Sequence, residues 1–596
     1  MKPPTPSTAV PATSSSPSTS TGSRSWGSAA ALASYAALAS LYLLYLPHAE
    51  FVLDDWFQFL FYRIHQARGW AGEIEVVRIL LQNRLYNTFQ FDWLSFFVDS
   101  LLVWVTGYAP RLLFSIVLLI HITNAWLLYR LLRRLRIDSR LAYLAGACFL
   151  LTPFSHGPLF WFLGTPFYTQ PPVFLFLYWL SLATTLAAGA LTLRAALWQS
   201  LLIVLVLFAG GAPSFGLLLF GGAWMALCFF PRDRWRAAAQ AIGTAWAVMG
   251  AAFVVYVSFI SKAPPSHNQI RARYDFSRDF LINNWRKFYH YHLEGMSGFG
   301  PHAYYRVHAS AGQILAAAFV VLIVALGAWL LRGSPESQPA RRVIVFAAGM
   351  AVLAYAPLIY LIGGTLRHYY TVSPYFSLLL AALCWMLPGG RSGASRIAAG
   401  AALCGYFAMC TVAEIEQCWT PMSEHIQAVK AGLRRLRDLQ PGEPVIIPRF
   451  PMILGTAPNF ALISNWGQYM AEVVTGVPRV EFWREIVIER GHVRLFHRHA
   501  LRDTTAAELA HAHVLVGPPE GPYVPRRYWA EPVGAPAGEP PADPPGSCQW
   551  LLHCLRDYDP CAAPPAPLAA SDLAPLAGQV YYPRPFEHGN LAHLHY

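Results

Sequence analysis

Apolar runs of about 20 residues recur along this 596-residue chain, and short arginine-rich loops separate most of them. A run of that length crosses the hydrocarbon core of a bilayer as a helix. Only 13% of the residues are charged, whereas about 25% are charged in ordinary soluble domains. The sequence therefore predicts an α-helical membrane protein that crosses the bilayer many times.

We predict about eleven transmembrane helices in this chain. They lie near residues 28–46, 110–129, 141–155, 168–188, 195–211, 213–230, 238–260, 311–331, 343–362, 370–387 and 396–413. Segment 91–107 is also apolar, but Asp92 and Asp99 interrupt it, so we interpret it as a helix at the membrane surface. If this segment crossed the membrane, every later helix would point the other way.

The arginines predict how these helices are oriented. Arg24 precedes the first helix, and further arginines lie in later loops: Arg130, Arg133, Arg134, Arg136, Arg140, Arg194, Arg232, Arg234, Arg236, Arg332, Arg341, Arg342, Arg391 and Arg396. Cytoplasmic loops carry such charge, which predicts a cytoplasmic amino terminus and an extracytoplasmic carboxyl terminus. The net charge of +12 has the same explanation, together with contacts to membrane lipid, and no nucleic-acid motif accompanies it.

The membrane domain is predicted at 28–413, with outer loops 47–109 and 261–310, and two parts of the chain lie outside it. Residues 1–27 are rich in Ser, Thr and Pro, so we expect them to be disordered. From residue 414 the composition shifts to proline, charge and short apolar runs, which predicts a small soluble α/β domain over 414–596. Nine cysteines occur without a CxxC pair, which argues against the usual zinc and thioredoxin-like sites.

An acidic pair, Asp54 and Asp55, stands in the sequence FVLDDWFQF just beyond the first apolar run. Charge is rare in the apolar segments of this chain, so a carboxylate pair beside a membrane helix is well placed for acid/base chemistry. The alternative is that the two aspartates are solvated or cap the helix predicted over WFQFLFYRIHQ. We select Asp54 and Asp55 as candidate catalytic residues.

Basic side chains are predicted on the same side of the membrane as the acidic pair. They are His156 in TPFSHGPLFWF, Arg367 and His368 in GGTLRHYYTVSP, and Arg271 and Arg273 in the long loop 261–310. An arginine fork matches phosphate oxygens, so these residues are candidate ligands of a lipid phosphate. The alternative is an ordinary interfacial belt of long side chains that reach toward water.

Within the predicted spans, His121 and Asn124 are the main polar residues and share one helix face. A hydrogen bond between helices explains them better than catalysis does.

The acidic and basic groups together supply what sugar transfer from a lipid phosphate requires. A carboxylate removes the proton of an acceptor hydroxyl, the oxygen attacks the anomeric carbon, and cations neutralise the departing phosphate. Two adjacent aspartates also permit a division in which one is the base and the other orients the acceptor or binds a divalent cation. The sequence leaves the metal requirement open.

Four segments resemble the GT-C superfamily of polyprenyl-phosphate-sugar-dependent glycosyltransferases. FVLDDW resembles the acidic first-loop motif of that superfamily. Residues 91–135 resemble bacterial homologues of the tetratricopeptide-repeat O-mannosyltransferases of family 39, with Gly107, Pro110, His121 and Asn124 on the pattern. FLLTPFSHGPLFWFLG resembles the third-span motif, and LRHYYTVSP loosely resembles a late motif. The resemblance covers 50–165 and, faintly, 340–440, and it implies an inverting glycosyltransferase. From the motif and the predicted topology we select Asp54 as the base, with Asp55 assisting.

The sequence departs from that family at four positions. Gly157 and Phe167 stand where the family usually has acidic residues, and Asp92 and Trp93 replace an arginine and a proline. No tetratricopeptide repeats follow the membrane part, so the partners that such repeats bind are not implied.

Two other classes of function remain as alternatives. A transporter or flippase of a lipid-linked substrate would also need a basic outer loop, but it predicts polar groups in mid-membrane and two matching halves. A non-catalytic relative would explain Gly157 and Phe167. The preference for arginine over lysine suggests a high-GC genome, and hence a bacterial cytoplasmic membrane.

Overall fold

The structure is a computed structural model. It describes residues 21–52, 68–80, 93–107, 109–161, 168–210, 213–255, 258, 338–359, 370–386, 394–436, 439–447, 453–454, 457–458, 465–477, 480–489, 492–497, 500–503, 513–516 and 524–527.

Sixteen α-helices lie in these ranges. They are α1 (Thr21–Ala39), α2 (Trp70–Leu80), α3 (Trp93–Thr106), α4 (Pro110–Arg134), α5 (Ser139–Leu151), α6 (His156–Phe160), α7 (Gln170–Ala188), α8 (Leu193–Gly210), α9 (Pro213–Gly216), α10 (Gly222–Phe229), α11 (Trp235–Val255), α12 (Gln338–Ile359), α13 (Ser373–Trp385), α14 (Ala394–Glu414), α15 (Thr420–Leu433) and α16 (Asn465–Thr475).

Six helical segments among the described residues are long and apolar enough to cross a membrane. They are Gly27–Leu44, Pro110–Arg134, Gln170–Ala188, Arg232–Val255, Ala340–Pro357 and Ala394–Glu414. Shorter apolar helices lie at Phe97–Thr106, Ser139–Leu151, Leu193–Ala209, Ser214–Phe229 and Ser373–Trp385. By length and composition these helices support the prediction of an integral membrane protein. The predicted span 311–331 lies outside the described residues, so the total of about eleven stays a prediction.

Some predicted spans differ in detail from the helices of the structure. The predicted span 213–230 consists of α9, a π-helical turn over Leu217–Gly221, and α10. The predicted span 141–155 ends its α-helix at Leu151, and a 3-10 turn begins at Pro153. A proline lacks the amide hydrogen and disfavours helical backbone in the residue before it, which explains this end.

The helices pack into a bundle with two chemically different ends. At the arginine end, α4 finishes with Arg133 and Arg134, and Asp138 caps the start of α5 by accepting hydrogen bonds from two backbone amides. At the opposite, polar end lie Tyr42, His156 and the carboxyl terminus of α14, which contact one another. Between the two ends the core is filled by buried apolar side chains of α4, α5, α7 and α13.

Strands follow the last membrane helix. They are β1 (Pro444–Ile447), β2 (Ile453–Leu454), β3 (Ala457–Pro458), β4 (Glu481–Glu489), β5 (His492–His497), β6 (Ala500–Asp503), β7 (His513–Val516) and β8 (Val524–Arg527). Six of them form one sheet in the order β6-β5-β4-β1-β7-β8, and β2 pairs with β3. Strand β1 is parallel to β4 and β7, and the other pairs are antiparallel. Helix α16 connects the parallel pair β1 and β4, as a crossover connection requires.

Candidate functional site

A buried chain of hydrogen bonds joins four segments of the bundle. The Nδ1 atom of His121 lies 2.7 Å from the Tyr370 hydroxyl, and its Nε2 atom lies 3.0 Å from the carbonyl oxygen of Leu150. The Asn124 amide donates to the carbonyl of Thr169 (2.7 Å) and to the Tyr370 hydroxyl (3.2 Å). His121 and Asn124 therefore make the bonds between segments that their spacing predicted.

The directions of these bonds follow from the groups involved. A carbonyl oxygen only accepts, so Nε2 of His121 carries the hydrogen. Its Nδ1 atom then accepts from the Tyr370 hydroxyl, and that hydroxyl accepts from Asn124. His121 is therefore held as one neutral tautomer with both nitrogens occupied, which is a positioning arrangement rather than that of a free base.

A second buried group combines a histidine with a carboxylate. The Nδ1 atom of His156 donates to Oε2 of Glu414 over 2.6 Å, and its Nε2 atom lies 3.0 Å from the Thr411 hydroxyl. His156 is 1% exposed and Glu414 is 7% exposed. The Thr411 hydroxyl also lies 2.9 Å from the carbonyl oxygen of Phe407 and 3.1 Å from that of Leu151. His156, Glu414 and Thr411 are therefore held together by several buried contacts.

Tyr42 lies between these two groups. Its hydroxyl donates to the carbonyl of Leu150 over 2.7 Å. Its ring centroid lies 6.2 Å from that of His121 and 6.0 Å from that of His156. We call this set, Tyr42, His121, Asn124, His156, Tyr370, Thr411 and Glu414, the polar cluster. It joins the ends of the first, third and last predicted spans, which the arginine pattern placed on one side of the membrane.

Most of the predicted site residues lie outside the described residues. These are Asp54, Asp55, Arg271, Arg273, Arg367 and His368. The structure describes residues that are close in sequence to two of these motifs. Val52 is fully buried two positions before Asp54, and Tyr370 is fully buried two positions after His368.

His156 is the predicted phosphate ligand that the structure describes. Both of its ring nitrogens bond to Glu414 and Thr411, so in this arrangement neither is directed at a lipid phosphate. The sequence suggested a basic ligand because His156 stands in a loop between two apolar runs. Tertiary packing instead supplies it with a carboxylate partner 258 residues away.

Glu414 is the ionisable residue of the polar cluster that the sequence did not single out. It marked the end of the last span, and its only signal was that a carboxylate closes an apolar helix. Its carboxylate contacts His156, the neighbour of Gly157, where the resembled family has an acidic residue. Among the described residues, no group of three His, Cys, Asp or Glu side chains converges as metal ligands.

Comparisons with known proteins add little to this geometry. No protein-family model matches the chain. No curated protein matches it either. Among solved structures, the crystal structure of ArnT from Cupriavidus metallidurans bound to undecaprenyl phosphate is similar over 78% of this chain and 86% of that chain, with 11% identity and a TM-score of 0.38. A likeness of that size establishes neither a shared fold nor a shared function.

Proposed function

We propose that this chain is an integral membrane glycosyltransferase of the GT-C superfamily. It transfers a sugar from a polyprenyl-phosphate donor to an acceptor hydroxyl on the extracytoplasmic side of a bacterial cytoplasmic membrane. The observation that carries the proposal is the polar cluster. In this cluster His121 contacts both Tyr42, in the segment before the acidic motif, and Tyr370, in the segment after the basic motif.

The reaction needs the acidic motif and the basic motif to lie close together. Transfer requires a base at the acceptor and cations at the leaving phosphate, within one substrate length of each other. Asp54 and Asp55 follow Val52, and Arg367 and His368 precede Tyr370. The buried contacts of the polar cluster support a common site for the two motifs, because they hold the flanking segments at one end of the bundle.

The roles follow from the chemistry of each group. Asp54 takes the proton of the acceptor hydroxyl, whose oxygen forms a bond to the anomeric carbon. The bond from that carbon to the phosphate oxygen breaks, and the electron pair leaves with the polyprenyl phosphate. Arg367 and His368, with Arg271 and Arg273, neutralise the leaving phosphate. Attack opposite to the leaving group inverts the anomeric centre.

Asp55 assists Asp54 in this scheme. It orients the acceptor or, with Asp54, holds a divalent cation, for which paired carboxylates are suitable ligands. His156 is left out of the phosphate ligands because its ring nitrogens are occupied. The carboxyl-terminal region 414–596 is proposed as an extracytoplasmic domain, since it follows the Glu414 end of α14 directly.

Replacing Asp54 with asparagine tests the proposal. The variant keeps the size of the side chain but cannot accept the proton, so transfer should fall by about 100-fold or more. The purified protein in nanodiscs is incubated with a panel of labelled polyprenyl-phosphate sugars, and covalent transfer is measured. Glycan mass in cells that carry the same variant gives a second readout.

Asp233→Asn is the matched control, because Asp233 is an exposed aspartate in a 3-10 turn at the arginine end. It should transfer at the normal rate. Normal transfer by Asp54→Asn at normal protein level would remove Asp54 from the mechanism. Movement of the labelled lipid between leaflets without covalent transfer would instead favour a transporter.

A further inference from the structure

The chain that leads into the acidic motif runs along one helix of the carboxyl-terminal region. The Tyr45 hydroxyl lies 2.7 Å from Oγ of Ser423, and Nδ1 of His48 lies 3.4 Å from Oε1 of Glu424. Further on, the Lys430 ammonium donates to Oε2 of Glu50 over 2.8 Å. Later residues of the segment 45–50 contact later residues of α15, so the segment runs along this helix for about two turns, roughly 10 Å.

Glu50 is the most constrained member of this contact. It is 3% exposed. One carboxylate oxygen accepts from Lys430, and the other accepts from the backbone amide of Phe51 over 3.0 Å. A buried carboxylate needs a compensating charge, and Lys430 supplies it. The ion pair therefore fixes the side chain of Glu50 and, through the Phe51 amide, the backbone direction just before the acidic motif.

The nature of the cation is also informative. Lys430 is one of four lysines in a chain whose loops otherwise use arginine. An ammonium is a compact charge that can bond to a single oxygen, whereas a guanidinium fork favours both oxygens of a carboxylate. Lysine therefore leaves the second oxygen of Glu50 to the Phe51 amide.

We infer that Lys430 is a positioning residue for the transfer reaction. Through Glu50 it sets the path of the chain four residues before Asp54, and so sets where the proposed base stands relative to the acceptor. This inference rests on the proposed function. It gives α15, the first α-helix after the membrane domain, an indirect part in catalysis, without contact with the substrate.

Lys430→Met tests the inference in the full-length protein, with Lys430→Arg as the conservative variant. A misplaced base slows the chemical step but leaves donor binding intact, so kcat should fall roughly tenfold with the donor KM unchanged. The probe is the labelled polyprenyl-phosphate sugar that the wild type uses. The Phe51 amide should exchange its hydrogen faster in Lys430→Met, and Lys430→Arg should recover only part of kcat, because its fork competes with the Phe51 amide for the second oxygen of Glu50.

Two further variants make the result decisive. Arg434→Met removes an exposed charge from the residue that caps the carboxyl end of α15 and should change neither kcat nor the exchange at Phe51. Glu50→Gln neutralises the other partner, keeps the oxygen that Phe51 uses, and serves if Lys430→Met does not fold. Its kcat should fall as well.

The outcomes separate this inference from the function on which it rests. Unchanged kcat in Lys430→Met and Glu50→Gln, with Asp54→Asn inactive, would overturn the positioning role and leave the glycosyltransferase proposal standing. An equal fall in kcat in Lys430→Met and in Arg434→Met would also overturn the positioning role. Full activity of Asp54→Asn would overturn both.

Discussion

The two ends of the helix bundle use their polar side chains in opposite ways. At the arginine end, exposed cations lie over tryptophan rings, with Arg130 5.0 Å from the ring centre of Trp126 and Arg232 5.9 Å from that of Trp235. At the polar end the ionisable groups are buried and bond to one another, as His156 does to Glu414.

The difference lies in how much each contact restricts the chain. An exposed arginine keeps its hydration, and its long stem can reach water from many positions. A buried polar group loses its hydration and is stable only with its partner in place. The arginine end therefore tolerates variation, whereas the polar end specifies one arrangement of several chain segments. A site that must hold reacting groups at fixed relative positions is therefore better placed at the polar end.

The largest effect on this comparison should come from Glu414→Ala. It leaves the buried imidazole of His156 without the acceptor of its Nδ1 hydrogen, and loss of one partner of a buried pair costs about 3 kcal/mol or more. The free energy of unfolding in bicelles is the measurement. Glu416→Ala, two residues on and exposed, should change it by less than about 0.5 kcal/mol. Equal losses in the two variants would mean that burial does not distinguish the polar end.

A smaller loss is expected for Tyr370→Phe. The change removes the hydroxyl that donates to His121 and accepts from Asn124, and a hydrogen bond between membrane helices contributes about 1 kcal/mol. The free energy of unfolding again measures it. Tyr178→Phe is the control, because the hydroxyl of Tyr178 is buried and has no hydrogen-bond partner among the described residues. A loss in Tyr178→Phe as large as in Tyr370→Phe would show that the network adds nothing specific.

The smallest effect should follow Arg130→Met. An exposed cation over a tryptophan ring contributes about 0.5–1 kcal/mol. Thermal unfolding in the same bicelles should therefore shift only slightly, and by little more than in Arg140→Met, an exposed control at the start of α5. A loss equal to that of Glu414→Ala would contradict the contrast between the two ends.

Local pattern in the sequence predicted the membrane helices and part of the polar cluster. Spans follow from hydropathy, which needs no partner, and the spacing of His121 and Asn124 showed that both face a neighbouring segment. Irregular turns within the helices were harder to predict from the sequence. The predicted span 213–230 gave no sign of the π-helical turn at Leu217–Gly221, because an added residue per turn leaves the apolar composition unchanged.

Partners far apart in sequence could not be predicted. Glu414 and His156 are 258 residues apart, and Glu50 and Lys430 are 380 residues apart. Each residue alone fits an ordinary role at a helix end or in a loop, so only the folded chain shows that they pair. The functional residues Asp54, Asp55, Arg367 and His368 remain predictions from the sequence, supported by the described segments beside them.

The pairing of Glu50 with Lys430 also sets an order of events during synthesis. A ribosome adds about 5–20 residues each second, so Glu50 waits roughly 20–80 s before Lys430 is made. Over that interval the carboxylate lacks its Lys430 partner, and the segment 45–50 cannot make its final contacts with α15. The polar end is therefore completed last, after the whole membrane domain has been translated, and a nascent chain truncated before α15 should lack the proposed activity.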